Sequence, residues 1–158
     1  MDGEKLTRVL WEEMLYADMR ANYFAELVRS YQQRDKWLHV AVLVASSSAA
    51  VAVLSELPVW AKFVAPLAAT CGSFWLLLSQ YGTLARDAAD LHGEWSAITR
   101  DYERLWNNIT DPHAEATFHQ IYDRAESPSN KGAKFPNRKK RLEYWLDQAS
   151  KLAMARYA

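Results

Sequence analysis

Two stretches of the chain lack charged residues, whereas the segments around them alternate apolar and polar positions. No Lys, Arg, Asp or Glu occurs from Trp37 to Ser55 or from Phe63 to Ala85. A helix needs about 20 apolar residues to cross the ~30 Å hydrocarbon core of a bilayer. The pattern therefore predicts two transmembrane helices. The alternative is a buried helical hairpin in a soluble all-α protein.

Both flanking segments carry a helical packing repeat, with apolar residues at alternating steps of four and three. After the second stretch the repeat comprises Leu84, Ala88, Leu91, Trp95, Ile98, Tyr102, Leu105 and Ile109. Before the first stretch it comprises Leu10, Met14, Ala17, Ala21, Phe24, Val28 and Tyr31. Such repeats are typical of helix-packing seams. We expect the two helices to pair antiparallel over about 35 Å, the second running unbroken from about Val59 to Ile109.

The remainder of the chain predicts two shorter helices. Thr110, Asp111 and Pro112 form a helix-start signal, and the helix is expected to end near Arg124. The segment ESPSNKGAKFPN has the composition of a loop. A last helix, from Arg138 to about Arg156, must pack its apolar face on the paired helices, a neighbouring subunit or a membrane surface. This face consists of Leu142, Trp145, Leu146, Ala149, Leu152 and Ala153.

Together these elements predict an all-α membrane protein: a two-helix transmembrane hairpin extended into a long cytoplasmic helical stalk, with two shorter C-terminal helices. The basic residues Arg29, Arg34, Lys36 and Arg86 flank the spans on one side. By the positive-inside rule, both termini are then cytoplasmic and the protein lies in the bacterial inner membrane. The predicted divisions are an amphipathic helix at 1–36, spans at 37–57 and 63–83 joined by an outer link at 58–62, a stalk at 84–110 and a C-terminal region at 111–158.

Small residues recur within both predicted spans. Close packing of the hairpin is expected on two faces, formed by Ala41, Ala45 and Ala49 and by Ala61, Ala65, Ala69 and Ser73. In the stretch VASSSAAVAV, Ser46 and Ser47 point away from the alanine face. They are candidates for pore lining or subunit contact. The alternative is simple packing or exposure to lipid, which a hydrogen bond to the carbonyl four residues back makes tolerable.

Catalytic and cofactor motifs are sparse. The five glycines are isolated, so the chain has neither a phosphate-binding loop nor a dinucleotide fingerprint. The single cysteine, Cys71, excludes a cysteine-based metal site. We therefore expect no enzyme, no cofactor and no metal. Arg86 and His92 have the Arg-to-His spacing of small helical ribonucleases, which leaves a membrane-bound ribonuclease as a weaker alternative.

The most concentrated charge is a basic cluster of Lys131, Lys134, Arg138, Lys139, Lys140 and Arg141. It is a candidate site for anionic lipid, an acidic partner, RNA or a phosphorylated messenger, and a solvated helix start is the alternative. The formal net charge of the chain is +0, which argues against a general nucleic-acid binder.

The segments ANYFAELVRSYQQRDKWLH and ARDAADLHGEWSAITRDYERLW, with the two apolar stretches between them, resemble the SLATT family. These are small two-transmembrane proteins encoded with bacterial nucleotide-signalling and defence genes. The resemblance implies an effector that oligomerises in the inner membrane, opens a pore or disrupts the bilayer, and aborts phage infection. Its implied partners are membrane lipids, further copies of the chain, and a trigger: a sensor protein, a nucleotide messenger or an RNA-guided complex. A passive membrane scaffold that tethers a cytoplasmic partner is the alternative.

Overall fold

The computed structural model describes residues 3–46, 67, 70–75 and 78–157, most of which are helical. The long helices are α1 (Gly3–Ser46), α2 (Tyr81–Asn107), α3 (Ala114–Gly132) and α4 (Lys139–Tyr157). The chain divides into two compact units: residues 1–27 together with 87–158, and residues 28–86. All four long helices contribute to the first unit.

The packing seams predicted from the heptad repeats are confirmed. On α1 the buried positions include Leu10, Met14, Ala17, Ala21, Phe24 and Tyr31. On α2 they include Ala88, Leu91, Trp95, Ile98, Tyr102 and Leu105. Burying a large apolar side chain contributes roughly 1.5–3 kcal/mol, so these two stripes supply much of the stability of the described helices.

In the first unit α1 and α2 pack antiparallel, as expected. The rings of Trp11 and Trp106 have centroids 5.2 Å apart at one end of the pair. Further along, the Cζ atom of Arg20 lies 4.6 Å from the ring centroid of Trp95. The next contact is between the backbone oxygen of Ala21 and Nδ1 of His92, at 2.8 Å. Residue numbers rise on one helix as they fall on the other.

Helix α3 is longer than predicted, because it continues to Gly132 through half of the segment expected to be a loop. Pro128 lies inside the helix and is buried, so its packing offsets the backbone hydrogen bond that proline cannot donate. At Gly132 the helix passes close to α1: a Cβ atom there would lie 3.2 Å from Cζ of Phe24. The prediction of a loop was wrong here because it used only the local content of Ser, Pro and Gly, which gives no information about packing against α1.

Helix α4 packs on the paired helices, one of the three places left open by the sequence. Nε1 of Trp145 donates a hydrogen bond to the Glu26 carboxylate at 2.7 Å. Arg156 forms an ion pair with Glu103 of α2. At its C-terminal end, the Tyr157 ring lies 6.0 Å from that of Trp11. Ala149 is the buried residue of the predicted apolar face, whereas Leu152 on the same face is 61% exposed.

In the second unit, the helix preceding α2 does not run unbroken into it, which corrects the predicted single helix. Residues 78–79 are helical and α2 starts at Tyr81. Between them Gln80 has a φ of 46°, in the left-handed region that a non-glycine residue rarely adopts. Its carbonyl accepts a hydrogen bond from the Leu84 amide at 3.0 Å, which caps the first turn of α2.

The prediction of two membrane spans is wrong for the chain as described: none of the helices described combines enough length with enough apolar character to cross a bilayer. Helix α1 is 44 residues long but carries charged residues as far as Lys36. The described charge-free part of α1 extends only from Trp37 to Ser46, which is shorter than the ~20 residues that a span needs. The transmembrane hairpin, the membrane pore and the inner-membrane location are withdrawn with the spans, and the all-α class stands.

Candidate ligand-binding groove

Three helices of the first unit bring polar and aromatic side chains together at a common spacing. Glu13 and Arg20 on α1 are seven residues apart, and so are Trp95 and Tyr102 on α2. Seven residues correspond to two helical turns, about 10.5 Å. Because the helices are antiparallel, Arg20 contacts Trp95 while Glu13 interacts electrostatically with Tyr102. The groove between them therefore has two chemically different ends.

Helix α3 forms the third wall, and the enclosed cavity has a volume of about 520 Å³. This lies within the range of roughly 300–1,000 Å³ that is typical of small-molecule sites. Tyr16 and Tyr122 stand at its rim and are 47% and 51% exposed. The lining residues are Glu13, Tyr16, Ala17, Arg20, Trp95, Tyr102, Tyr122, Asp123, Ala125, Glu126, Ser129 and Asn130.

Two buried polar atoms of this groove have no hydrogen-bond partner among the described residues. They are Nε1 of Trp95 and the hydroxyl of Tyr102. The two side chains are only 4% and 1% exposed. A buried donor left unpaired costs about 1–3 kcal/mol, and native proteins leave few such groups. Both residues belong to the α2 wall of one cavity, so a single molecule that reaches these two atoms would satisfy them.

The end of the groove formed by Glu13, Tyr102, Tyr122 and Asp123, named here the acidic end, disfavours additional negative charge. Burial raises the pKa of Glu13, Arg20 lowers it, and the charge of Glu12 raises it further. Burial also raises the pKa of Tyr102, and the neighbouring Glu13 and Tyr122 raise it further, against a lowering by Arg124. A cation placed here would relieve the electrostatic cost of the Glu13 carboxylate.

The opposite end, named the donor end, consists of Arg20, Trp95, Ser129 and Asn130. The Arg20 guanidinium donates one hydrogen bond to Oγ of Ser129 at 3.0 Å and covers the face of the Trp95 ring. A guanidinium carries five N–H donors, so this arrangement leaves donors of Arg20 beside the indole whose N–H is unpaired. The donor end is therefore suited to an oxygen acceptor.

A second polar cavity on the other side of α1 and α2 shows what a satisfied site looks like in this chain. It is about 180 Å³ in volume and is closed by α4. The amide of Asn22 donates to the Asp18 carboxylate at 3.0 Å, and Arg156 forms an ion pair with Glu103. The hydroxyl of Thr99 donates to the Trp95 carbonyl at 3.0 Å. Here the polar groups partner one another, whereas Trp95 Nε1 and the Tyr102 hydroxyl do not.

The small residues singled out from the sequence are only partly described. Ala41 is exposed on α1 and Ser73 is half-buried. A Cβ atom at Gly72 would lie 3.6 Å from Val42, an ordinary van der Waals distance, so these two segments are neighbours here. Ala45 and Ser46 belong to α1, but their side chains are outside the described part of the chain, as are Ser47, Ala49, Ala61, Ala65 and Ala69 entirely. The proposed roles of these residues stay predictions.

Half of the basic cluster is engaged in ion pairs within the protein. Lys131 pairs with Glu94 at 2.6 Å and Lys134 with Asp87 at 2.5 Å. Nε of Arg141 lies 3.4 Å from the Glu26 carboxylate. The other members, Arg138, Lys139 and Lys140, are exposed at the start of α4. Three of the cluster's side chains thus have a structural role in joining helices.

Neither Arg86 and His92, considered for nuclease chemistry, nor the further histidine His39 lines the groove. Nδ1 of His92 lies 2.8 Å from the Ala21 carbonyl and 3.5 Å from Oγ of Ser96. Nδ1 of His39 lies 2.8 Å from the Asp35 carbonyl. Across the described residues, no group of three or more His, Cys, Asp or Glu side chains is arranged to hold a metal ion. These histidines bind backbone oxygens in the described helices.

Sequence reasoning missed the groove because it assigned Trp95 and Tyr102 to the packing seam. Both are indeed buried in that seam. The available signal was that each carries a polar atom that an apolar seam cannot satisfy. The position of Ala17, a small residue on the facing helix, was a second signal, because it leaves space beside them.

No family model, no curated protein and no solved structure matches this chain, so the resemblance to the SLATT family stays a prediction from its sequence.

Proposed function

We propose that the chain is a helical receptor module that binds a small polar molecule in the groove between α1, α2 and α3. The observation that carries this proposal is the pair of buried, unpartnered polar atoms on one wall of the cavity, Trp95 Nε1 and the Tyr102 hydroxyl. A ligand that supplies their missing hydrogen bonds removes the cost of leaving these atoms unpaired. An exposed group would give less binding energy, because it already has hydrogen bonds to water that the ligand must replace.

Binding without catalysis is favoured by the composition of the groove. No histidine or cysteine is among its lining residues, and the hydroxyl of Ser129 is hydrogen-bonded to Arg20. A nucleophile needs an adjacent general base, which this arrangement does not supply to Ser129. The groove is therefore proposed as a site of recognition.

A receptor role also fits the trigger that the sequence led us to expect. Among the triggers that the SLATT resemblance implies is a nucleotide messenger, which is itself a small polar molecule. A ligand in the groove would contact α1, α2 and α3 at once, so its binding would stabilise their packing by mass action. Oligomerisation and bacterial defence remain predictions from the sequence, whereas the passive membrane scaffold depended on the two predicted spans.

The proposal is tested by screening for stabilising ligands of the wild type and of a variant in which a large side chain fills the groove. The unmodified protein is screened by thermal shift with a panel of amino acids, amines, nucleotides and sugar phosphates. Ala125→Phe places a large ring in the cavity, and Ala116→Phe adds the same ring at an exposed position of the same helix. We expect at least one compound to raise the Tm of the wild type and of Ala116→Phe but not of Ala125→Phe. The proposal is contradicted if no compound raises the Tm of the wild type and of Ala116→Phe while leaving that of Ala125→Phe unchanged.

A further inference from the structure

The charges along the groove are distributed unevenly, although Arg20 still acts electrostatically on Glu13. The acidic end has two carboxylates, Glu13 and Asp123, whereas the donor end has the Arg20 guanidinium and no carboxylate. Glu126 lies between them on α3, one turn from Asp123. The lining therefore holds three carboxylates and one guanidinium, with the positive group confined to one end.

The spacing between the ends is the same on all three walls. On α1 it runs from Glu13 to Arg20, and on α2 from Tyr102 back to Trp95. On α3, which lies alongside, it runs from Tyr122 to Ser129. Each interval is seven residues, about 10.5 Å between backbone positions. Because the Glu13 and Arg20 side chains are long, they can reach a ligand that is shorter than this interval.

One of the two unpartnered atoms belongs to each end of the groove, and its hydrogen-bonding capacity agrees with the charge of that end. Trp95 Nε1 is a donor only and needs an oxygen acceptor, which Arg20 beside it would reinforce. The Tyr102 hydroxyl can accept a hydrogen bond, and Glu13 and Tyr122 both interact with it electrostatically, a setting that favours an ammonium or guanidinium group. A ligand with a carboxylate at one end and a cation at the other fits both.

Resting on the function proposed above, we infer that the ligand of the groove is an elongated molecule with a carboxylate at one end and a cation at the other, as in lysine and arginine. Its carboxylate binds Arg20 and Trp95 at the donor end. Its terminal cation binds Glu13, Asp123 and the Tyr102 hydroxyl at the acidic end. The Tyr16 and Tyr122 rings cover the methylene chain at the rim.

Three matched probes test the two ends separately by calorimetry. Lysine has both groups, cadaverine lacks the carboxylate, and norleucine lacks the terminal amine. Lysine is expected to bind at least about tenfold more tightly than either, since each lost group removes a charge-assisted hydrogen bond. Equal affinity for all three would overturn the inference.

Variants at exposed or half-buried groove positions, which leave the buried seam intact, assign the ends. Asp123→Asn should weaken lysine and cadaverine several-fold and leave norleucine unchanged. Arg20→Gln should weaken lysine and norleucine and leave cadaverine unchanged. Asp90→Asn removes the same charge at an exposed position of α2 outside the groove and should change none. Lysine binding that is insensitive to both groove variants contradicts the inference.

The outcomes separate this inference from the receptor proposal. If lysine and arginine fail to bind while another compound stabilises the protein in an Ala125-dependent way, the zwitterion is wrong and the receptor function stands. If no compound shows Ala125-dependent stabilisation, both are wrong.

Discussion

At the scale of single residues, the unusual groups of this protein are polar atoms buried inside an otherwise regular helical seam. Trp95 and Tyr102 occupy heptad positions that leucine could fill, and each leaves a polar atom unpaired. Glu13 faces the same cavity and retains a carboxylate despite its burial. Each of these costs folding free energy, which is typical of residues retained for binding.

The cost of Glu13 gives a prediction for the pH dependence of stability. Its pKa is raised above 4.5 chiefly by burial, so the folded protein holds this proton more tightly than the unfolded chain. The group therefore favours folding most below pH 4.5, and that contribution is lost as pH rises through the raised pKa. Glu13→Gln should consequently raise the free energy of unfolding at pH 7, with a smaller gain in acid.

Urea denaturation at neutral and acidic pH measures this difference. Glu143→Gln, at an exposed position on α4, is the control for the loss of one negative charge. A Glu13→Gln variant that is less stable than the wild type at pH 7, or whose gain grows in acid, would show that the carboxylate is favourably paired when folded.

At the scale of helices, α4 is attached to α1 and α2 by hydrogen bonds and ion pairs between side chains. Trp145 and Arg141 both contact the Glu26 carboxylate, and Arg156 pairs with Glu103. Its apolar contribution is small, because Ala149 is buried while Leu152 and Met154 are exposed. We therefore expect α4 to open at lower free energy than the seam between α1 and α2.

Trp145→Phe tests this attachment. The substitution keeps an aromatic ring but removes the N–H that donates to Glu26, and a hydrogen bond to a charged group contributes about 1.5–3 kcal/mol. We expect a loss of about 1–2 kcal/mol in unfolding free energy and faster amide exchange throughout α4. Tyr144→Phe, at the exposed neighbour, should change neither. Unchanged exchange in Trp145→Phe would show that apolar contacts hold α4.

The helices were predictable to the extent that their signals are local. The heptad repeats placed the seams of α1 and α2, since burial follows directly from the helical period. The extension of α3 through Pro128 was not predictable, because it depends on packing against α1 that sequence neighbours do not encode. The interruption at Gln80 has no glycine or proline at that position to announce it.

At the scale of the whole chain, the membrane hypothesis failed and the groove was not foreseen. The two spans were predicted from the absence of charge, whereas none of the described helices combines the length and the apolar character that a span needs. The groove arises from the registers of three helices, and only their antiparallel and parallel packing brings Glu13, Tyr102 and Asp123 to one end. A single sequence does not show which distant residues come together in the fold.

The most direct test of a ligand-binding groove is the Trp95 indole N–H itself. The chain has seven tryptophans, and the indole resonance of Trp95 can be assigned in a ¹H–¹⁵N spectrum by its loss in Trp95→Phe. On titration with lysine, we predict a saturable downfield shift of this resonance, as its N–H gains an acceptor, while those of Trp106 and Trp145 stay in place. A Trp95 resonance that moves with neither lysine nor any stabilising compound of the panel would contradict the account.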